Sequence, residues 1–153
     1  MNQIESILNY RKNSESLSSS GQPTEKEFLL IKEMGFEVII NLRPESEMLY
    51  DFDEKLIVES LGMKYVQIPM TFDTLNNEII SKLFQILEEE NRRNLFIHCH
   101  HNIRASVLLA LYQIIILGWK TEDAYKELKV MMEITAEVEA YISTHITNFC
   151  KEK

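Results

Sequence analysis

Apolar residues recur along the chain with two spacings, one typical of strands and one typical of helices. Three short apolar segments, residues 36–42, 64–70 and 94–98, predict strands. Segments with helical spacing lie around them: residues 24–34, 51–61, 75–90, 104–117, 121–132 and 136–150. This alternation predicts an α/β fold in which a central, mostly parallel sheet is flanked by helices.

Local sequence signals predict where several helices begin or end. Thr24 followed by Glu27 is the pattern of a capping box, and Gly35 is placed to end that helix. Asp73 or Thr74 is the expected cap of the helix that begins near residue 75. Residues 13–23 are rich in serine and predict a polar loop. The segment 104–117 is almost wholly apolar, which predicts a buried central helix.

Composition and charge limit the classes of function. The length of 153 residues predicts one domain over residues 1–153, with residues 1–16 as a loosely packed N-terminal segment. The net charge of −8 argues against nucleic acid and anionic membranes as partners. With two cysteines, no export signal and no apolar run long enough to span a bilayer, a cytoplasmic location is expected. The sequence does not indicate an oligomeric state.

The stretch "HCHHNIRAS", residues 98–106, carries the most chemical information. It follows a buried strand and leads into the most apolar helix, which places Cys99 at the carboxyl end of the sheet. Free N–H groups at a helix start bind oxyanions and favour a thiolate over a thiol. Arg104 adds a fork of donors suited to phosphate oxygens. A cysteine and an arginine on either side of such a loop suit nucleophilic phosphoryl transfer.

The chain resembles the cysteine-dependent protein phosphatases with a dual-specificity-like fold. The resemblance is stronger to a small bacterial branch of phosphatase-like domains, formerly of unknown function. That branch is marked by a Ser-Gly-Gln-Pro entry, a strand ending in Asn-Leu-Arg and a His-Cys…Asn-x-Arg loop. These motifs appear here as "SGQPT", "VIINLRPESE" and "HCHHNIRAS", and "GWKTEDAYKEL" fits as well. The similarity extends from about residue 10 to residue 149.

The resemblance implies a hydrolase of phosphate monoesters that works through a phosphocysteine intermediate without metal or cofactor. It implies Cys99 as nucleophile, His98 beneath the loop, and Asp73 as general acid unless Asp73 only caps a helix. The substrate is expected to be a phosphorylated protein or a small phosphorylated molecule. Ser106 would stabilise the departing thiolate. The substrate-binding residues would be His100, His101, Asn102, Ile103, Arg104 and Arg43, although Arg43 is also placed to pair with Glu47.

The loop differs from the usual phosphatase pattern. Four residues separate Cys99 from Arg104 where phosphatases usually have five, and no glycine is present, so Asn102 is expected to take the left-handed conformation. A four-residue spacing is also found in rhodanese-like sulfurtransferases, in which Cys99 would carry a persulfide. A phosphate-binding pseudoenzyme and a metal-binding module built on residues 98–101 are further alternatives. The motifs spread over the whole chain favour the phosphatase.

Overall fold

One five-stranded sheet organises the chain. The computed structural model describes residues 3–48 and 50–152. The strands are β1 (Arg11–Lys12), β2 (Leu17–Ser20), β3 (Val38–Asn41), β4 (Lys64–Gln67) and β5 (Leu95–His98). Their order in the sheet is β1-β2-β5-β3-β4, with β1 antiparallel to β2 and the other pairs parallel. The predicted α/β fold with a mostly parallel central sheet is confirmed.

Helices cover both faces of this sheet. They are α1 (Glu25–Glu33), α2 (Glu54–Ser60), α3 (Asn77–Glu89), α4 (Ile103–Ile115), α5 (Thr121–Leu128) and α6 (Ala136–Lys151). Successive strand side chains point to opposite faces. Ile40 and Ile97 enter a core shared with α3, α4 and α6. Ile39 and Phe96 enter a second core, on the face covered by α1 and α2. No helix in the described ranges is both long and apolar enough to cross a membrane.

The predicted helix signals are largely confirmed. Thr24 caps α1 by accepting from the backbone N–H of Glu27 at 3.2 Å, and the Glu27 carboxylate accepts from the Thr24 N–H at 2.8 Å. Gly35 follows α1 with a φ of 95°, a value that favours glycine. Helix α4 is buried along most of its length, as its apolar sequence predicts.

Three expectations are corrected. Residues 13–23 are not only a polar loop, because β2 lies within them and Ser18, Ser19 and Ser20 are buried. The described part of the N-terminal segment is not loosely packed, since Ile4 and Ile7 are each 1% exposed against the α1 side of the sheet. Neither Asp73 nor Thr74 caps α3. Its cap is Asn76, whose side chain accepts from Ile79 N at 2.9 Å.

Candidate active site

Strand register brings the candidate loop to the carboxyl edge of the sheet. His98, the last residue of β5, lies between Ser20 of β2 and Asn41 of β3. The chain leaves this edge through Cys99 and enters α4 at Ile103. We call residues 99–102 the phosphate loop. Because α4 begins directly after it, the free N–H groups of the helix start face the same space as the loop.

Asn102 makes the turn into α4 possible. Its φ is 69°, so the prediction of a left-handed residue here is confirmed. Its side-chain amide donates to Asn9 O at 2.8 Å and to Ser19 Oγ at 3.0 Å. Its Oδ1 accepts from the Ser106 hydroxyl at 3.2 Å. These bonds offset the strain of the left-handed conformation. They also fix the loop to the N-terminal segment and to β2.

The segment after β2 holds the loop from one side. Gln22 N donates to His100 O at 2.9 Å. A Cβ at Gly21 would come within 2.6 Å of that same oxygen, so only glycine allows this close approach. The Asn9 side chain donates to His101 O at 2.8 Å. The "SGQP" motif therefore holds the backbone of the phosphate loop in position.

A buried ion pair lies beneath the loop. His98 Nε2 is 2.7 Å from Glu54 Oε2, and both side chains are fully buried. His98 Nδ1 lies 3.2 Å from the carbonyl oxygen of Cys99. The two atoms that face the ring, Glu54 Oε2 and the Cys99 carbonyl oxygen, are both hydrogen-bond acceptors, so each ring nitrogen lies within hydrogen-bonding distance of an acceptor. The ring thus connects Glu54 to the backbone of the cysteine.

Two further donors hold the Glu54 carboxylate. Gln22 Nε2 and the Tyr50 hydroxyl donate to Glu54 Oε1 at 2.9 and 2.8 Å. Burial alone would raise the pKa of Glu54, but the charge of His98 and these hydrogen bonds lower it below its ordinary value of 4.5. Glu54 is therefore ionised at neutral pH although it is only 1% exposed.

Glu47 orients Arg104. Arg104 Nη1 donates to Glu47 Oε2 at 3.1 Å and to Met70 O at 2.9 Å, while Nη2 donates to Glu47 Oε1 at 2.7 Å. Among the described residues these bonds leave the Nε–H and one Nη2–H without a partner, and these two groups lie on the same edge of the guanidinium group. That edge matches two oxygens of a phosphate. The hydrogen bond from Arg104 is the largest cause of the lowered pKa of Glu47.

Arg43 is a buried neighbour of this pair. Its Nε lies 3.4 Å from Glu47 Oε1, which confirms the predicted pairing, and its Nη1 donates to Gln22 Oε1 at 3.0 Å. Its guanidinium carbon lies 5.6 Å from the centroid of the Tyr50 ring. These contacts make Arg43 a support for Glu47. Direct contact of Arg43 with substrate stays a prediction.

A pocket of about 190 Å³ opens above the loop. It is lined by Phe72, Cys99, His100, His101, Ile103 and Arg104. Cys99 is a free thiol and only 1% exposed, so the pocket is its access to solvent. Burial, and after it the charge of Arg43, lower the pKa of His100 below 6.5, so its ring is neutral at pH 7. The His100 and His101 rings meet edge to face, with their centroids 3.9 Å apart.

Asp73 and Ser106 have different surroundings. Asp73 is exposed on a turn in which Thr71 N donates to Thr74 Oγ1 at 2.8 Å, and its neighbour Phe72 lines the pocket. With Asn76 capping α3, the alternative that Asp73 serves as the cap is wrong. The Ser106 hydroxyl donates to Asn102, so its proposed assistance to Cys99 stays a prediction.

The sequence did not reveal Glu54 or the orienting role of Glu47. Glu54 lies 44 residues before His98, within a helix whose sequence marks none of its acidic residues as buried. The sequence predicts Glu47 only as a partner of Arg43. In the parts of the chain that the structure describes, no three His, Cys, Asp or Glu side chains are arranged to hold a metal ion.

A fold and a loop of this kind define a phosphatase-type domain, and comparison with known proteins identifies the family. Residues 3–144 match the model of the family described as DSP-PTPase phosphatase fused to NAD+ kinase. The chain belongs to this family. The predicted kinship with cysteine-dependent, dual-specificity-like phosphatases is thereby confirmed, and nothing in the comparisons supports a sulfurtransferase or a pseudoenzyme.

Three relatives show the extent of the likeness. The DUF442 protein of Shewanella putrefaciens CN-32 superposes with a TM-score of 0.80 at 27% identity, over 96% of this chain and 97% of that one. A beta-lactamase hydrolase-like protein of Xylella fastidiosa is 30% identical over 104 residues. The dual specificity protein phosphatase TpbA of Pseudomonas aeruginosa is 21% identical over 128 residues. In a crystal structure, TpbA superposes with a TM-score of 0.72 at 15% identity, over 91% of this chain and 83% of that one, a likeness of fold.

The chain covers only part of the two relatives compared by sequence. The Xylella match spans 66% of this chain and 24% of that protein, and the TpbA match spans 82% of this chain and 56% of TpbA.

Proposed function

We propose that this domain hydrolyses phosphate monoesters, with Cys99 as the nucleophile and a phosphocysteine as the intermediate. One observation carries the proposal: Cys99 lies in the same pocket as Arg104, and in the described parts of the chain one edge of the Arg104 guanidinium has no partner beyond the bonds to Glu47 and Met70. A thiolate at a helix start, opposite a fork of donors, suits attack on phosphorus.

In the first step the Cys99 thiolate attacks phosphorus. The Sγ–P bond forms while the bond from phosphorus to the alcohol oxygen breaks. Asp73 donates a proton to the leaving oxygen, since it is the acidic residue of the turn that borders the pocket. Arg104 and the N–H groups of the phosphate loop bind the equatorial oxygens as charge develops on them.

In the second step water attacks the phosphocysteine. Asp73, now ionised, accepts a proton from the water, the Sγ–P bond breaks and inorganic phosphate leaves. Ser106 stabilises the departing thiolate once its hydroxyl turns from Asn102. His98, held by Glu54, keeps the Cys99 carbonyl in place through both steps.

The remaining loop residues form the wall of the phosphate site. Asn102 and Ile103 contribute backbone N–H groups at the start of α4, while the rings of His100 and His101 border the entrance. Arg43 acts by holding Glu47. A neutral His100 adds no charge, so Arg104 is the main positive group facing the anion.

The pocket supports the proposed substrate class. A pocket of about 190 Å³ with an exposed rim admits a phosphoryl group on a protein side chain or on a small molecule. TpbA, which shares the fold, has been crystallised with phosphotyrosine. Because Cys99 and Cys150 are both free thiols, we also propose a reducing, cytoplasmic setting.

Hydrolysis of 4-nitrophenyl phosphate between pH 5 and 8, with a chelator present, tests this proposal. We expect turnover by the wild type that survives the chelator and is lost in Cys99→Ser. The matched control is Cys150→Ser, the same change at an exposed cysteine, which should keep full activity. Turnover that persists in Cys99→Ser would refute the mechanism. Thiocyanate formation from thiosulfate and cyanide, without phosphate release, would instead favour sulfur transfer.

A further inference from the structure

A second pocket lies beside the phosphate pocket. It has a volume of about 210 Å³ and is formed by the Phe72 turn, α4, α6 and the segment before α6. Its lining residues are Phe72, Val107, Met132, Thr135, Glu137, Val138 and Tyr141. We call it the apolar pocket.

The two pockets adjoin each other. Phe72 lines both of them. On α4, Ile103 lines the phosphate pocket and Val107 lines the apolar pocket, and residues four apart lie on the same face of a helix. The Phe72 side chain is thus shared by the apolar pocket and the phosphate pocket.

Helix α6 fixes the side chain that both pockets share. The Tyr141 hydroxyl donates to Phe72 O at 2.7 Å, and the two rings meet edge to face with centroids 5.5 Å apart. Burial, together with the charge of Asp73, raises the pKa of Tyr141 to about 12, so its hydroxyl stays protonated at neutral pH. The wall between the pockets is therefore held in one position.

The lining suits an uncharged group. The Tyr141 hydroxyl is occupied by Phe72 O, and Thr135 Oγ1 accepts from Val138 N at 3.2 Å as the cap of α6. Among the described lining residues the only charged group is the Glu137 carboxylate. None of the described lining residues is a lysine or an arginine, so these residues offer no cationic partner for a second phosphate. Glu137 would repel an acidic group.

We infer that the apolar pocket is a substrate subsite, which holds an aromatic or branched aliphatic group that extends from the leaving alcohol beyond the part that enters the phosphate pocket. This inference rests on the proposed function, because the alcohol must be positioned by phosphate binding at Cys99 and Arg104. The group can belong to a phosphorylated peptide or to a small phosphoester. The same apolar chemistry recognises both.

Paired substrates test the subsite. We would compare kcat/KM for phenyl phosphate and biphenyl-4-yl phosphate, and for two phosphopeptides with leucine or glutamate next to the phosphorylated residue. The added apolar group should raise kcat/KM about tenfold, the usual scale for filling an apolar pocket. Preference in the ester pair alone indicates a small-molecule substrate. Preference in the peptide pair as well indicates a protein.

Substitutions assign the preference to the pocket. Val138→Phe fills the apolar pocket and should bring the ratio of kcat/KM for the ester pair close to one. Val130→Phe is the matched control, because Val130 is 71% exposed and lies outside the lining. Met132→Glu, a second variant, should lower the ratio by introducing charge. Circular dichroism and thermal melting check that each variant is folded.

The outcomes separate the subsite from the hydrolysis. A wild type that hydrolyses phenyl phosphate but shows equal kcat/KM for both esters would overturn the subsite alone, as would a preference that survives both Val138→Phe and Met132→Glu. If no ester is hydrolysed, calorimetry with phenylphosphonate and biphenyl-4-ylphosphonate decides. If the biphenyl compound binds more tightly and this preference is lost in Val138→Phe, the result would support the subsite and contradict the proposed hydrolysis. Absence of binding would overturn both.

Discussion

The two sides of the phosphate loop differ sharply. The loop base, formed by His98, Glu54, Asn102 and Ser19, is at most 1% exposed and bonded throughout. The loop rim, formed by His100, His101, Phe72 and Asp73, is exposed around the entrance of the pocket. The base thus supplies rigidity and the rim supplies access. Substitutions in the base should act mainly on folding, and substitutions in the rim mainly on turnover.

The largest expected loss of stability comes from Glu54→Ala. Removing one partner of a buried ion pair leaves His98 without its partner, and costs about 3–5 kcal/mol. Chemical denaturation would measure the free energy of unfolding. The matched control is Glu59→Ala, on the exposed face of the same helix, with an expected change below about 0.5 kcal/mol. Equal effects of the two substitutions would contradict the role assigned to the base.

Two substitutions at Asn102 distinguish the contributions of backbone strain and of hydrogen bonding to stability. Asn102→Gly keeps the φ of 69° accessible but loses the bonds to Asn9, Ser19 and Ser106, which costs about 1–3 kcal/mol. Asn102→Ala adds the penalty of a left-handed alanine, about 1 kcal/mol more. Thermal melting of both variants checks that Asn102→Ala is less stable than Asn102→Gly. A more stable alanine variant would show that the left-handed turn is not required.

Low pH should destabilise the loop base. The folded-state pKa of Glu54 is lowered, so the stability it contributes is present above its unfolded pKa near 4.5 and is lost as pH falls through the lower folded value. Denaturation curves between pH 3 and 7 should show stability declining below about pH 4.5. In Glu54→Gln this decline should be shallower, because the carboxylate is absent. Parallel pH profiles in both proteins would contradict the assignment.

The smallest change in stability is expected in the rim, at Asp73→Asn. Asp73 is exposed and does not cap α3, so unfolding should change by less than about 0.5 kcal/mol. Turnover of an alkyl phosphate should nevertheless fall about 100-fold, because its leaving group needs a proton.

Two comparisons sharpen the Asp73 prediction. The loss should be smaller for 4-nitrophenyl phosphate, whose leaving group is already acidic. Asp123→Asn on α5, half-exposed at 49% of its side-chain surface, is the matched control and should keep full activity. An Asp73→Asn variant with unchanged kcat on both substrates would exclude Asp73 as the acid.

Features encoded by neighbouring residues could be predicted from the sequence. The capping box of α1 needs only Thr24 and Glu27, and the buried helix α4 follows from its apolar run. The left-handed Asn102 followed from a tight loop without glycine. Each of these is decided within a few residues, where local propensity and hydrogen bonding dominate.

Features created by tertiary contact could not be predicted. Strand β2 was missed because Ser18 and Ser19 look polar, although Tyr10 and Asn13 satisfy their hydroxyls inside the fold. Glu54 was missed for the same reason, since its carboxylate meets His98 only when α2 packs beneath β5. The cap of α3 was misplaced because the Thr71–Thr74 turn delays the helix start to Asn76.

The most direct test of the account is to trap the covalent intermediate. Wild type would be quenched during turnover of 4-nitrophenyl phosphate and digested with trypsin. The peptide of residues 94–104, which contains Cys99 and three histidines, would then be fragmented in a mass spectrometer. We predict one phosphoryl group on Cys99 and none on the histidines. Turnover with this peptide unmodified, or with the phosphoryl group on His100 or His101, would contradict the account.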